Sequence, residues 1–583
     1  MPFYPPEWVP QCPEIPDSVS IPEFMFEEKH GRTPISESAD AYICGLTGKK
    51  TSAAQQKEQY TYLARALAKE FGWKVNEGTE FDKVCGVFAL NTIDVMTLNW
   101  AIHRLNGVSS PANAAYSADE LRHQLMNSDS KALFTVMPLL EVALEGAQKA
   151  GVDRSKIYLL SMPGDDASKY PKDLKTFDQL VEAGKKLPEL EQSKWEKGQG
   201  ARQTAFLCYS SGTSGLPKGV MISHRNVIAN TLQIKAYDQK WREKLTAGGN
   251  HNEVALGLLP QSHIYGLIVI CHESTYLGHS VVVLPKFDMQ NYLNSIQKYK
   301  ITTLYIVPPI IIGMVKQKEL CSKYDLSSVV SIFTGAAPLG QETAVELSKQ
   351  YPKWKVRQGY GLTETCTVVC STQPEDIVFG SSGCLLPGYT ARVMSIEGNE
   401  ITGYDQPGEL LVKSPSVTLG YLKNEKATKE TFVDLEDGRY MRTGDEVVFK
   451  KASSGSEHVW IVDRLKELIK VKGLQVAPAE LEAALLGHPA VADCAVIPAP
   501  DERAGEVPRA YVVKSNSVGL EESDAAVKRD IQRFIEKEKA RHKWLKGGIE
   551  FIDVIPKSPS GKILRRMLRD KDKAARMKKG AKL

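Results

Sequence analysis

Between Tyr209 and Val220 the chain reads Tyr-Ser-Ser-Gly-Thr-Ser-Gly-Leu-Pro-Lys-Gly-Val, a run whose residue types suit a bound anion. Gly212 and Gly215 let backbone N–H groups converge, Ser210, Ser211, Thr213 and Ser214 add hydroxyl donors, and Lys218 adds a positive charge. Such a segment cradles phosphate. It lacks the GxxxxGK[ST] spacing of a Walker loop and the GxSxG spacing of a hydrolase elbow. A flexible Ser/Gly linker is the plain alternative. Against it, the run sits between a strand and a helix beginning near His224, and it leaves through Pro-Lys-Gly.

Two later stretches carry further chemistry. Gln358-Gly-Tyr-Gly-Leu-Thr-Glu-Thr365 follows another strand-like run. Its glycines allow close backbone approach, Tyr360 offers a flat face to a base, Thr363 a hydroxyl, and Glu364 a hard oxygen ligand suited to Mg²⁺. Alone, a Gly-Tyr-Gly turn is a common tight loop. Tyr440-Met-Arg-Thr-Gly-Asp445 ends in an acid that could hold two ribose hydroxyls or merely close an Asx turn.

The elements that must position these residues are legible as a pattern. From about Phe81 to Gln358, β-branched runs (Val84–Leu90, Ala132–Val136, Ile157–Leu160, Ala205–Tyr209, Val254–Leu259, Ser280–Leu284, Thr302–Val307, Val329–Phe333) alternate with amphipathic stretches such as Val95–Leu105 and Leu139–Ala150. That is the α/β alternation of doubly wound sheets, and the length accommodates two. Ser117-Ala-Asp-Glu120 reads as a capping box opening a helix. Beyond Ser381 short strands with Gly and Pro turns predict a small β subdomain. A last α+β region is predicted as helix Pro478–Leu486, strands Cys494–Ile497 and Ala510–Val513, a long helix Ser523–Leu545 and strand Ile549–Ile555. The predicted division is a domain over 1–463, a hinge at 464–466 and a smaller mobile domain over 467–583.

Bulk properties agree. At 583 residues the chain exceeds the roughly 250–300 that one core supports, so at least two domains are required. With 42% apolar and 25% charged residues it is neither collagen, coiled coil nor wholesale disorder. Its 10 cysteines form no CxxC pair or zinc spacing, which predicts buried free thiols and a reducing compartment. The proline-rich start does not resemble a secretory signal, and no apolar run approaches the roughly 20 residues of a membrane span. The net charge of +4 is a sum of unlike parts: residues 565–583 hold nine Lys or Arg and two Asp, or +7, leaving −3 for the rest.

Taken together, and in this order, the segments resemble the adenylate-forming superfamily: acyl- and aryl-CoA synthetases, 4-coumarate–CoA ligase-like enzymes and beetle luciferases. Leu259-Pro-Gln-Ser-His-Ile-Tyr-Gly-Leu267, Thr334-Gly-Ala-Ala-Pro-Leu339, Ile461-Val-Asp-Arg-Leu-Lys-Glu-Leu-Ile-Lys-Val-Lys-Gly473 and Pro556-Lys-Ser-Pro-Ser-Gly-Lys562 extend the likeness over nearly the whole chain. The resemblance implies that Ser210 to Gly215 with Lys218 hold the ATP β- and γ-phosphates, and that Ala336, Gln358, Gly359 and Tyr360 line the adenine. It assigns the ribose to Asp445 and Arg464, the α-phosphate to Thr363, Mg²⁺ to Glu364, and the pentavalent phosphate to Lys562.

For a second step it implies rotation of the C-terminal domain about Lys466. That motion would withdraw Lys562 and bring Val471-Lys472-Gly473 to a pantetheine tunnel gated by His263, with Lys470 and Gln475 near nucleotide or thiol. Lys286 is either a contact for the CoA phosphates or an ordinary surface lysine. The acyl pocket would be lined by His263, Ile264, Tyr265, Val269, Phe333, Gly335, Gly359 and Ser371. Hydroxycinnamate ligases of the group tend to carry Lys where this chain has Phe333. A buried Phe cannot pair with a phenol, so an apolar carboxylic acid is favoured.

The function implied is ATP-dependent conversion of a carboxylic acid to its acyl-adenylate and then to an acyl-CoA, with ATP, Mg²⁺ and coenzyme A, in peroxisomal lipid, aromatic-acid or secondary metabolism. Transfer to a carrier-protein phosphopantetheine or to O₂, or a silent nucleotide-binding relative, are the alternatives. The terminal Ala581-Lys582-Leu583 is a near variant of the Ser-Lys-Leu peroxisomal address, expected to engage the import receptor at the tip of a solvated basic stalk.

Overall fold

The computed structural model describes residues 2–210, 216–246, 252–472, 474–515 and 523–580. Ser211, Gly212, Thr213, Ser214 and Gly215 of the phosphate-loop reading, Gly473 and the Ala581–Leu583 tripeptide lie outside the described residues.

The expected alternation folds into two large sheets. In an eight-stranded sheet Val84–Phe88, Val108–Ala112, Ala132–Val136, Ile157–Leu160 and Thr204–Ser210 run parallel. Their near-continuous apolar sequences follow from burial on both faces, as all five residues of Val84–Phe88 show. Helix Ala118–Ser128 starts at the expected box, in which Ser117 accepts from the Glu120 N–H and Glu120 reaches back to the Ser117 N–H.

The expected strand and the helix starting at His224 are both present, but a strand the pattern did not predict, Lys218–Ser223, stands between them, antiparallel to Thr204–Ser210. Val220 and Ile222 alternate into the core and add this strand to the sheet, and its first residue, Lys218, pairs with Ser210.

In the nine-stranded sheet Thr303–Ile306, Ser331–Thr334 and Lys355–Leu362 lie side by side and parallel. Their register sets Tyr305, Phe333 and Arg357 in one row across three strands. Gly335 and Gly359 follow two residues further along, at the carboxyl ends where doubly wound sheets bind ligands. A six-stranded antiparallel sheet forms the β subdomain, and in it strands Gly438–Lys451 and Glu457–Arg464 pair Asp445 with Arg464.

The main hydrophobic core reaches no further than Val459, and a separate core starts at Ile469. The latter packs helices Pro478–Leu486 and Asp524–Glu538 on a five-stranded sheet. The long helix therefore stops at Glu538, short of the expected Leu545. Lys539 turns extended, both it and Lys543 reach Glu480, and the Trp544 indole donates to the Lys539 carbonyl.

The basic tail is not a solvated stalk. Arg565–Gly580 is a helix whose Leu568 is buried, whose Asp572 pairs with Arg509 and Arg576, and whose Arg565 bridges Glu467 and Glu482. Apolar anchorage and paired charge offset the repulsion that a run of cations would otherwise suffer. All ten cysteines are free and nine are buried, as expected. Among the described residues no helix is long and apolar enough to cross a membrane.

Candidate active site

A cleft of about 730 Å³ opens at the carboxyl ends of both large sheets, walled by the β subdomain and closed by the C-terminal domain. Its chemistry is unevenly distributed.

At one end the charged residues converge. Asp445 is 4% exposed; its carboxylate accepts from the Tyr360 hydroxyl at 2.6 Å and lies 3.6 Å from the Arg464 guanidinium. Burial raises its pKa while Arg464 and the Tyr360 hydrogen bond oppose the rise. The acid stands in the strand pair, not in a bare turn, and its geometry suits two ribose hydroxyls. The backbone beside Tyr360 packs closely on the next strand: a Cβ on Gly361 would sit 1.5 Å from the Thr367 carbonyl oxygen, so only glycine fits there. Ala336, opposite, holds a left-handed φ of 67°, a conformation uncommon for a residue with a Cβ and a mark of a built site.

Thr363 and Glu364 occupy the short turn after strand Lys355–Leu362. Glu364 lines the cleft and accepts from the Tyr421 hydroxyl at 2.8 Å; Lys218 lies 4.9 Å from the centre of the same tyrosine ring. Tyr421 thus orients an anion and a cation together, and no signal in the sequence singled it out. One carboxylate beside a phosphate-binding region is the donor set Mg²⁺ uses, since that ion keeps its waters and takes one or two protein oxygens plus phosphates.

Lys562 comes from the C-terminal domain into this end. The turn before it is built for the purpose: Ser558 N–H donates to the Lys562 carbonyl, the Ser558 hydroxyl accepts from the Lys562 N–H, and Gly561 has φ 82°. A Cβ on Gly561 would come within 3.0 Å of Val307 in the large domain, so only glycine lets the turn approach this closely. Burial first, then the nearby Arg464, push the ammonium down to about 8, against the opposing pull of Glu467, Asp445 and Glu364. Lys316 adds a tie across the domains by donating to the Val491 and Ala492 carbonyls.

The other end is apolar. His263, Ile264, Tyr265, Val269, Phe333, Gly335 and Gly359 all line the cleft there. The His263 Nδ1 accepts from the Tyr265 N–H, and burial, with Lys562 adding to it, pulls the imidazole down to about 4. It is therefore neutral near pH 7.

Five expected residues stand elsewhere. Gln358 is behind the wall: its amide oxygen accepts from the Leu339 N–H, bracing the Gly335–Leu339 loop from below. Ser371 lies under Phe333, where its hydroxyl accepts from Arg357. Exposed Lys286 follows strand Ser280–Val283 outside the cleft lining, and Lys470 is exposed on strand Ile469–Val471. Lys472, at the adjoining hairpin turn with φ 51°, is likewise outside it, whereas Lys466 lines its rim.

The fold and the site define an adenylate-forming enzyme, and comparison with known proteins places the chain within that class. Residues 28–422 match the AMP-binding enzyme family and residues 480–562 the AMP-binding enzyme C-terminal domain. The chain belongs to this family, as an acyl-CoA synthetase of the adenylate-forming superfamily. Acyl-CoA ligase easD of Emericella nidulans is 38% identical over 98% of this chain and 100% of its own length. Acyl-CoA ligase AFT1-1 of Alternaria alternata is 40% identical over 98% and 97%. Among solved structures, ATP-bound MatB from Rhodopseudomonas palustris superposes with a TM-score of 0.76 at 25% identity, covering 95% of this chain and 99% of that one. The anthranilate CoA ligase AuaEII with anthranoyl-AMP gives 0.78 at 22% identity, over 95% and 98%, a likeness of fold.

Proposed function

We propose that this AMP-forming acyl-CoA ligase activates an apolar carboxylic acid in the cleft described, with the following division of roles. A carboxylate is a poor electrophile. Its oxygen attacks the ATP α-phosphorus, the bond to the bridging oxygen breaks and pyrophosphate leaves; the thiol of CoA then attacks the acyl carbon and AMP departs. Asp445 and Arg464 hold the ribose, Tyr360 and the Ala336 segment flank the base, and Thr363 meets the α-phosphate. Lys218 and Lys562 neutralise charge that develops on the phosphates. Mg²⁺, when bound by Glu364 together with phosphate oxygens, supplies further neutralisation.

The observation that carries this reading is Lys562. It comes from the C-terminal domain, yet it lines the same cleft as Asp445, Glu364 and Arg464. The arrangement suits the first step. For the second, a turn at residues 464–466 would withdraw Lys562 and exchange it for the Lys470–Lys472 hairpin, with neutral His263 free to move at the tunnel mouth. The peroxisomal address at Ala581–Leu583 completes the proposal, and a reporter carrying that tripeptide should enter peroxisomes; cytosolic retention would refute the address.

The test of function is purified protein with ATP, Mg²⁺ and CoA against a panel of carboxylic acids. Apolar acids should give acid-dependent pyrophosphate and CoA-dependent acyl-CoA and AMP. Release of AMP without dependence on CoA would point to another acceptor.

A further inference from the structure

The acyl end of the cleft stops at a partition, and what lies behind it is not apolar. Phe333 is the middle residue of the row Tyr305, Phe333, Arg357, and its ring leans sideways along the sheet. The ring tip fills the space a side chain at Gly359 would need: a Cβ there would lie 2.4 Å from Phe333 Cζ. Beneath the ring the Arg357 guanidinium sits 5.3 Å from its centre, and the rings of Tyr265 and Tyr305 flank it at 6.0 and 6.1 Å between centroids. The Tyr265 hydroxyl donates to the Phe333 carbonyl at 2.7 Å. The phenyl group is thus fixed from four sides, as a floor.

Below the floor is a second cavity of about 20 Å³, room for roughly one water, and Phe333, Val269 and Val368 face both spaces. The helices over this part of the sheet fill it with charge. Arg357 donates twice to Asp238, at 3.0 and 2.7 Å, Arg242 pairs with Glu273, and the Tyr305 hydroxyl donates to Glu253 at 2.9 Å. Arg357 also donates to the Thr372 carbonyl and the Ser371 hydroxyl. Every one of these groups is already partnered within the protein, so nothing in the chamber calls for a substrate while the floor is in place.

The geometry points to Phe333 as the residue that sets acyl length and terminus: it restricts the enzyme to acids whose far end is apolar and reaches only the level of Gly335 and Gly359. Removing the ring joins the pocket to a polar chamber and admits longer acids that end in a hydrogen-bonding group. This inference rests on the acid-activation reading above. One step from Gly335 to Phe333 spans two strand residues, about 6.6 Å, which corresponds to about five chain carbons. A plain methyl terminus pushed that far would meet buried ion pairs, whereas a hydroxyl could donate to a carboxylate oxygen, which accepts more than the one or two hydrogen bonds it holds here.

The test compares matched series of straight-chain alkanoic acids and their ω-hydroxy counterparts in acid-dependent pyrophosphate release, for the wild type, Phe333→Ala and Phe333→Leu. The wild type should prefer the alkanoic member at every length and fall off sharply beyond a limit. In Phe333→Ala the limit should move out by about five carbons, and above the old limit the ω-hydroxy acid should lead by about tenfold in kcat/KM. Phe333→Leu, which keeps a floor, should retain the wild-type preference, and ATP binding by both variants reports an intact nucleotide end. An unchanged length limit in a Phe333→Ala protein that still binds ATP, or a wild type that handles long ω-hydroxy acids as well as alkanoic ones, would overturn the inference. A wild type inactive with every acid would instead strike the acid-activation reading itself.

Discussion

The two ends of the cleft are built by opposite means. The nucleotide end consists of charged and hydroxylated side chains aimed inward: Asp445, Arg464, Lys562, Glu364 and Lys218, each held by a specific partner or turn. The acyl end consists of glycines that leave space and rings that fill it, with its charges sealed behind Phe333. The proposed function assigns chemistry common to all carboxylic acids to the first and discrimination among acids to the second. Substitutions at one end should therefore change rates without reordering acids, and those at the other should reorder acids without disturbing ATP.

The largest effect should come from Lys562→Ala. Loss of one preorganised cation on developing charge costs roughly 10²–10³-fold in rate, and here it should fall on pyrophosphate release from free acid. Transfer to CoA from a supplied acyl-adenylate should persist, and the relative preference among acids should not move. Rapid-quench measurement of the two half-reactions separates these outcomes; equal loss in both would break the assigned division of steps.

Asp445→Asn comes next. A hydrogen bond to a charged group is worth about 1.5–3 kcal/mol, so KM for ATP should rise by roughly 10–100-fold with the acid profile unaltered. A reordered acid profile would show that the two ends are not separable.

The ends should also differ in their response to pH. In the proposed role Lys562 acts as a cation; with its pKa lowered to about 8 it is mostly charged at neutral pH, half charged near 8 and increasingly neutral above. Adenylation kcat/KM should consequently decline above about pH 8 in a wild-type limb that Lys562→Arg removes or shifts upward. His263, neutral above about 4, predicts no titration of acid preference near neutrality.

A last effect falls on stability alone and leaves both ends of the cleft untouched. His103 and His272 are fully buried, and burial pulls them to about 3 and about 4. Their folded values lie below the unfolded one near 6.5, so the unfolded chain binds protons first. Stability is intact above pH 6.5 and drains as pH falls toward 4, by up to about 1.4 kcal/mol per histidine per pH unit. Thermal melting between pH 7 and 4 should show the decline, and His272→Gln should make its slope shallower.

What could be read from sequence follows the same division. Side-chain types suited to phosphate, ribose and magnesium cluster within short stretches, and the structure brings Asp445, Glu364, Thr363, Tyr360 and Lys562 from those stretches into one cleft. Ser560-Gly561 presenting Lys562 singly was legible because only glycine suits the turn. Strand Lys218–Ser223 is not legible locally, because a short run beside a helix does not announce its pairing partner. The packing of the tail is not legible either, because its ion pairs join residues far apart, Arg565 to Glu467 and Glu482. The chamber was invisible for the same reason: Asp238 and Arg357 are separated by 119 positions, and neither sits in a motif. Charge spacing reports local chemistry, whereas the floor of the acyl pocket is made by sheet register.

The central claim is that this cleft joins a carboxylate to AMP. Its most direct test is to incubate the protein with ATP, Mg²⁺ and an accepted acid while withholding CoA, and to weigh what stays bound. About one equivalent of acyl-adenylate per chain, matched by released pyrophosphate, should appear and vanish on addition of CoA. Release of ADP and phosphate in place of AMP ester and pyrophosphate would contradict it.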